Sequence, residues 1–129
     1  MSKKPPKTFH INDRFKKISN VTRKLAATYN LRCTYCYWFR DDSVYSKPKK
    51  ITEQVISVFL RRLETHLKNY SLKEFSISFH GGEPLLYGKV PYLSLCERLR
   101  KLCESAHCDL NLTMTTNGTL ILSAAKLLL

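Results

Sequence analysis

Apolar residues recur along this chain in two rhythms. Ile51, Val55, Ile56, Phe59, Leu60, Leu63 and Leu67 fall three and four positions apart, the period that lines up one face of an α-helix. Thr52 is a good N-cap for that helix, Glu53 complements its dipole, and Ile51 with Ile56 has the spacing of a hydrophobic staple. The period then shortens to two. In "EFSISFH", Phe75, Ile77 and Phe79 alternate with Ser76, Ser78 and His80, which predicts a strand with one apolar and one polar face. A second helical stripe follows, through Tyr92, Leu95, Cys96, Leu99, Leu102, Cys103 and Ala106. A further strand alternates Leu110, Leu112 and Met114 with Asn111, Thr113 and Thr115. Residues 18–28, around "NVTRKLAAT", read as a first strand with a weaker pattern, and "TNGTL" leads into the start of a third helix.

Strand, helix, strand, helix, strand, with crossovers of this length, predicts parallel strands joined by right-handed βαβ units. Both well-marked strands keep small polar residues on the face away from the helices. That face suits a lumen holding a polar ligand, and a half-exposed sheet reads the same way. In such architectures ligands bind where strands run out into loops. Three of these loops are chemically unusual: "TYNLRCTYCYWF" at 28–39, Gly81-Gly82-Glu83-Pro84, and Thr116-Asn117-Gly118. All three are expected to gather around one mouth.

A length of 129 residues with 43% hydrophobic content suits one folded domain. The formal charge of +12, from 22 Lys+Arg against 10 Asp+Glu, favours anionic partners. The basic residues are scattered rather than gathered into one arm, which makes nucleic acid the weaker partner and leaves an acidic peptide in play. Acidic surface on a further part of the protein is the bland alternative. Residues 1–17, which open "MSKKPPKTFH", read as a basic tail with no secretory signal, and 18–129 as the domain. The apolar run "LILSAAKLLL" is too short to span a bilayer, so no membrane partner is expected. Five cysteines are an odd count, which fits reduced thiols in a cytoplasm better than a disulfide framework.

Cys33 and Cys36 form a CxxC pair. Read alone, it is open to a metal site, a zinc half-site, a thioredoxin-like redox pair or chance. Zinc needs about four ligands, and His66, His80, His107 and Cys108 supply no second close pair beyond His107-Cys108. A redox pair belongs at a helix N-terminus, yet loop residues and Pro48 come before the first helix. Cys96 and Cys103, on the second apolar stripe, read as buried core thiols, and Cys108 precedes a strand at the opposite end of the barrel.

Taken in order, "NLRCTYCYW", "GGEPLL" and "TNGTL" resemble the radical S-adenosylmethionine (radical SAM) superfamily, and within it the peptide- and protein-modifying maturases. The resemblance runs from about residue 20 onward. It implies the N-terminal half of a partial (β/α)6 TIM-like barrel, an α/β fold of parallel strands with crossover helices. It also implies a [4Fe-4S] cluster and S-adenosylmethionine, from which such enzymes generate a 5′-deoxyadenosyl radical that abstracts hydrogen from a peptide or protein substrate. An electron donor such as flavodoxin or ferredoxin is implied with it. By the same resemblance Cys33 and Cys36 are cluster ligands, and Tyr35 contacts the adenine. Gly81 and Gly82 let backbone approach the ligand, Glu83 takes the methionine ammonium, and Asn117 makes a polar contact. Ser78 and His80 face the lumen. For Glu83 a solvated carboxylate at a helix entry is the alternative; for Gly81-Gly82 and Asn117-Gly118, plain turns.

One position departs from the pattern. Tyr29 stands where the family's first cluster cysteine belongs. A phenol is a hard, high-pKa donor beside a thiolate, so with two thiolates a [4Fe-4S] cluster assembles poorly or loses iron. A decayed or engineered copy is one explanation, and a non-catalytic relative keeping the fold is the other. The sequence stops just inside the third helix, and an open edge on a three-stranded sheet predicts marginal stability and aggregation.

Overall fold

The computed structural model describes residues 17–35, 46 and 48–122. The N-terminal tail (1–16), Cys36, Trp38 and the C-terminal leucines lie outside them. Three strands, β1 (Asn20–Arg23), β2 (Glu74–Phe79) and β3 (Asp109–Met114), form one parallel sheet in the order β1-β2-β3. The crossovers are α1 (Glu53–Tyr70) and α2 (Lys89–Ser105), with a 3-10 turn at Pro84–Tyr87 just before α2. This is the expected run of parallel βαβ units.

The period-two pattern sorts the sheet into two faces. Register places Val21, Ile77 and Leu112 in one row and Thr22, Ser78 and Thr113 in the next. Phe75, Ile77 and Phe79 are buried at 3% exposure or less. They pack with Ile56, Leu60, Leu63 and Leu67 of α1 and Leu95, Leu99 and Cys103 of α2. The helix stripes thus meet the apolar strand face, which removes both from water. On the opposite face Asn20, Thr22, Asn111 and Thr113 are exposed and Ser76 and Ser78 half-buried.

Local signals set the helix ends. Thr52 Oγ1 accepts from the Val55 N–H at 3.3 Å, and Ser71 closes α1 in the left-handed region, its N–H donating to Leu67 O. Glu53 also reaches across to Arg98 of α2 at 2.6 Å. That exposed pair contributes about 0–1 kcal/mol. At the outer edge of α1, a cleft of about 800 Å³ opens beside Val21, Phe59 and His66. The Arg23 guanidinium lies 4.4 Å above the Phe59 ring, and burial lowers its pKa from the ordinary value.

The first strand is shorter than the sequence predicts. It ends at Arg23, although Leu25 and Ala26 remain buried. The chain there turns away from β2 and pairs with the approach to α1: Ala26 bridges Lys50, Ala27 N–H donates to Lys49 O, and Ile51 N–H donates to Leu25 O. Leu25 still packs into the main core, so the turn changes the backbone pairing of this segment without exposing it.

Candidate functional site

At the C-terminal ends of the strands, backbone hydrogen bonds run one rung past the strands themselves. His80 N–H donates to Arg23 O at 3.0 Å, and Thr115 N–H to Phe79 O at 2.9 Å. All three outgoing loops therefore leave from one rim.

Glu83 sits where they meet, at 1% exposure. Its Oε1 accepts from Thr116 Oγ1 at 2.6 Å and from Leu85 N–H at 3.2 Å. Its Oε2 accepts from Asn117 N–H at 2.8 Å. Its own N–H donates to Thr28 O, at the root of the cysteine loop, at 2.8 Å. One residue thus holds all three loops. A buried carboxylate needs such donors to offset lost hydration, and among the described residues no buried side-chain nitrogen or oxygen lacks a partner. The solvated helix-entry alternative for Glu83 is overturned by this burial.

Of the two glycines before Glu83, Gly82 is required by close approach to backbone, while Gly81 abuts a side chain that can move. Gly82 has φ +61, and a Cβ there would lie 2.4 Å from Ala26 O and 2.6 Å from Thr28 O. At Gly81 (φ +80) a Cβ would meet the Lys24 side chain at 2.6 Å. A plain turn needs only the positive φ. What the glycines admit is the cysteine loop's own backbone and the Lys24 stem.

A second set of bonds ties the first loop to the third. Asn117 Nδ2 donates to Asn30 Oδ1 at 2.8 Å, and Asn30 Nδ2 donates to Thr119 Oγ1 at 2.7 Å. Thr119 N–H and Oγ1 both donate to Asn117 Oδ1, at 3.1 and 2.8 Å. Asn117-Gly118 is therefore more than a turn pair. Asn30, Thr116 and Thr119 belong to this rim, and the sequence does not single them out as site residues. The signal is slight: one more Asn beside position 29, and hydroxyls flanking Asn117-Gly118.

Of the other sequence candidates, Cys33 is half-buried and unpaired to sulfur, Tyr29 is half-buried, and Tyr35 is 83% exposed. Cys36 lies outside the described residues. Ser78, half-buried, and His80, exposed, lie on the polar side of β2 and its extension. Cys96, Cys103 and Cys108 are buried among the core, the first two as their stripe positions predict. Among the described residues no group of three or more His, Cys, Asp or Glu side chains is placed to hold a metal ion, and no helix is long and apolar enough to cross a membrane.

These features define the opening half of a partial α/β barrel with a preformed polar rim. No protein-family model matches the chain. It is 24% identical over 103 residues to the serine-type anaerobic sulfatase-maturating enzyme of Bacteroides thetaiotaomicron, covering 78% of this chain and 24% of that protein. Its fold is similar to native anSMEcpe with bound AdoMet and Cp18Cys peptide (TM-score 0.63, 28% identity, 84% of this chain and 27% of that one). It is similar too to hexahistidine-tagged anSMEcpe with bound AdoMet (TM-score 0.65, 29% identity, 86% and 29%). The chain thus spans about a quarter of the length of these relatives. Sequence, fold and motif order agree in a likeness to radical SAM enzymes of the peptide- and protein-modifying maturase type.

At the rim a polar sheet face lies beside a fixed Gly-Gly-Glu turn. The family's three-thiolate set has two cysteines here and the Tyr29 phenol in the remaining place, one soft donor short of what holds a [4Fe-4S] cluster.

Proposed function

We propose that this chain is the S-adenosylmethionine-binding part of a radical SAM maturase acting on a peptide or protein, and that Tyr29 leaves its cluster site one thiolate short. The observation that supports the first clause is the Glu83 junction, which joins the three loops into one rim facing the polar side of the sheet. On this reading the Gly81-Gly82 backbone lies along the methionine moiety. Glu83 fixes the rim, and Oε2, with one hydrogen bond described, keeps acceptor capacity for the ammonium. Asn117 makes a further polar contact and Tyr35 flanks the adenine. Cys33 and Cys36 are the thiolate donors. A bound cluster supplies one electron to S-adenosylmethionine in this superfamily; the chain's own task is to orient the ligand and exclude water.

Bound AdoMet and peptide in the anSMEcpe structures support the ligand and substrate classes, and the +12 charge supports an acidic stretch in the substrate. A flavodoxin or ferredoxin as electron donor, and a cytoplasmic setting, go with this reading. A second reading, a half-barrel that keeps the rim without the cluster, is favoured by Tyr29 itself.

Anaerobic reconstitution with iron and sulfide separates the two. The chain as written is expected to hold well under the roughly four irons of a full cluster, and Tyr29→Cys to raise both iron content and visible charge-transfer absorption. Equal iron in the two proteins overturns the assignment of position 29. Calorimetric titration with S-adenosylmethionine, with no iron present, tests the rim separately.

A further inference from the structure

Helix α2 ends in a turn that brings two thiols together. His107 takes the left-handed conformation (φ 52). Its N–H donates to Glu104 O at 3.0 Å, and Cys108 N–H donates to Cys103 O at 2.9 Å. This bond pair is the Schellman motif, whose usual companion is an apolar contact between the residues at the places of Cys103 and Cys108. Here both are cysteines, 1% and 5% exposed, reduced and members of the same core cluster, with Cys108 Sγ donating to Asp109 O at 3.7 Å. Burial, and then the neighbouring thiol, pushes Cys103 up to about 11; burial also raises Cys108. Cys96 lies two helical turns back from Cys103 on the same stripe, and burial raises its pKa as well.

We propose that Cys103 and Cys108 are a redox pair that closes to an intrachain disulfide when a small-molecule disulfide oxidant reaches the turn. A thiolate of the pair attacks the oxidant and releases one of its halves as a thiol. The second cysteine then displaces the other half, also as a thiol, and one S–S bond forms within the chain. Two hydrogens leave the protein, and the oxidant takes up both electrons and both protons. The raised pKa keeps thiolate scarce, so closure is slow and proceeds through opening of the turn beside exposed His107. Once formed, the bond pins the base of β3 to α2, while the other end of β3 leads to Thr116 and Asn117 of the rim.

The test is to incubate the 129-residue chain with oxidised glutathione, alkylate the remaining thiols, cleave after Glu104 without reduction and map the products by mass spectrometry. The expected result is one linked species joining Cys103 to Cys108, two hydrogens lighter, together with a raised thermal midpoint that dithiothreitol reverses. Cys96→Ser keeps the link and Cys108→Ser abolishes it. In denaturant the same reagent should scatter links among the five cysteines, so native selectivity reads proximity in the fold. The proposal is overturned if both cysteines of the folded chain carry alkyl or glutathione adducts, or if Cys96 competes equally for either.

Discussion

Two loops share the rim and are held in opposite ways. The Gly81-Gly82-Glu83 loop is buried throughout, and its carboxylate is fixed by donors from its own turn and from the loop after β3. The cysteine loop is anchored at its root, through Thr28 O and the Asn30 side chain. Beyond that root Leu31, Arg32, Thr34 and Tyr35 are exposed. One side of the candidate site is thus organised by a buried carboxylate and its donors, while most described residues of the other beyond its root face solvent. The departure from the family falls at Tyr29, on that second side. On the proposed reading, replacing a donor there removes chemistry while leaving the Glu83 junction in place, so that fold and cofactor capacity are separable.

The largest expected effect comes from breaking the organised side. Glu83→Ala leaves the Thr116 hydroxyl and the Leu85 and Asn117 amides without their acceptor, and should cost about 3–5 kcal/mol of stability in urea unfolding. A loss below about 1 kcal/mol would mean that water replaces the carboxylate easily and that the rim is not held by it. Next come two glycines with similar backbone angles and different surroundings. Gly82→Ala drives a methyl into two carbonyl oxygens and should cost about 2–4 kcal/mol. Gly118→Ala, also at positive φ (+82) but with its nearest contact 3.9 Å away, should lose only about 1–2 kcal/mol of backbone strain. Equal losses would show that φ alone matters and that the loops do not press together at Gly82. The smallest effect belongs to the open side. Asn30→Ala removes exposed hydrogen bonds to Asn117 and Thr119 and should cost about 1 kcal/mol, with faster amide exchange at residues 29–33 and none of that change at 83–87.

The helices and the two later strands are legible in the sequence because their patterns are periodic and their neighbours local. Thr52 reads as a cap because its partner lies three residues on. The first strand reads too long, since Leu25 and Ala26 look like strand residues but this segment takes its backbone partners from Lys49–Ile51 instead of β2. The meeting of three loops follows from strand polarity. The bonds that make it do not, because Glu83 finds its partners 33 and 34 positions away and Asn30 finds Asn117 across 87. Gly82 can be marked as a glycine needing room, but only the folded chain shows that the room is taken by Ala26 and Thr28. The left-handed turn at His107, and with it the contact between Cys103 and Cys108, has no glycine to announce it.

The central claim is that Glu83 physically joins the loop after β2 to the loop after β3. A double-mutant cycle of Glu83→Gln with Thr116→Val measures that junction directly through urea unfolding of the four proteins. A coupling of about 1–3 kcal/mol is the predicted result. Additive losses, with no coupling beyond measurement error, would contradict it.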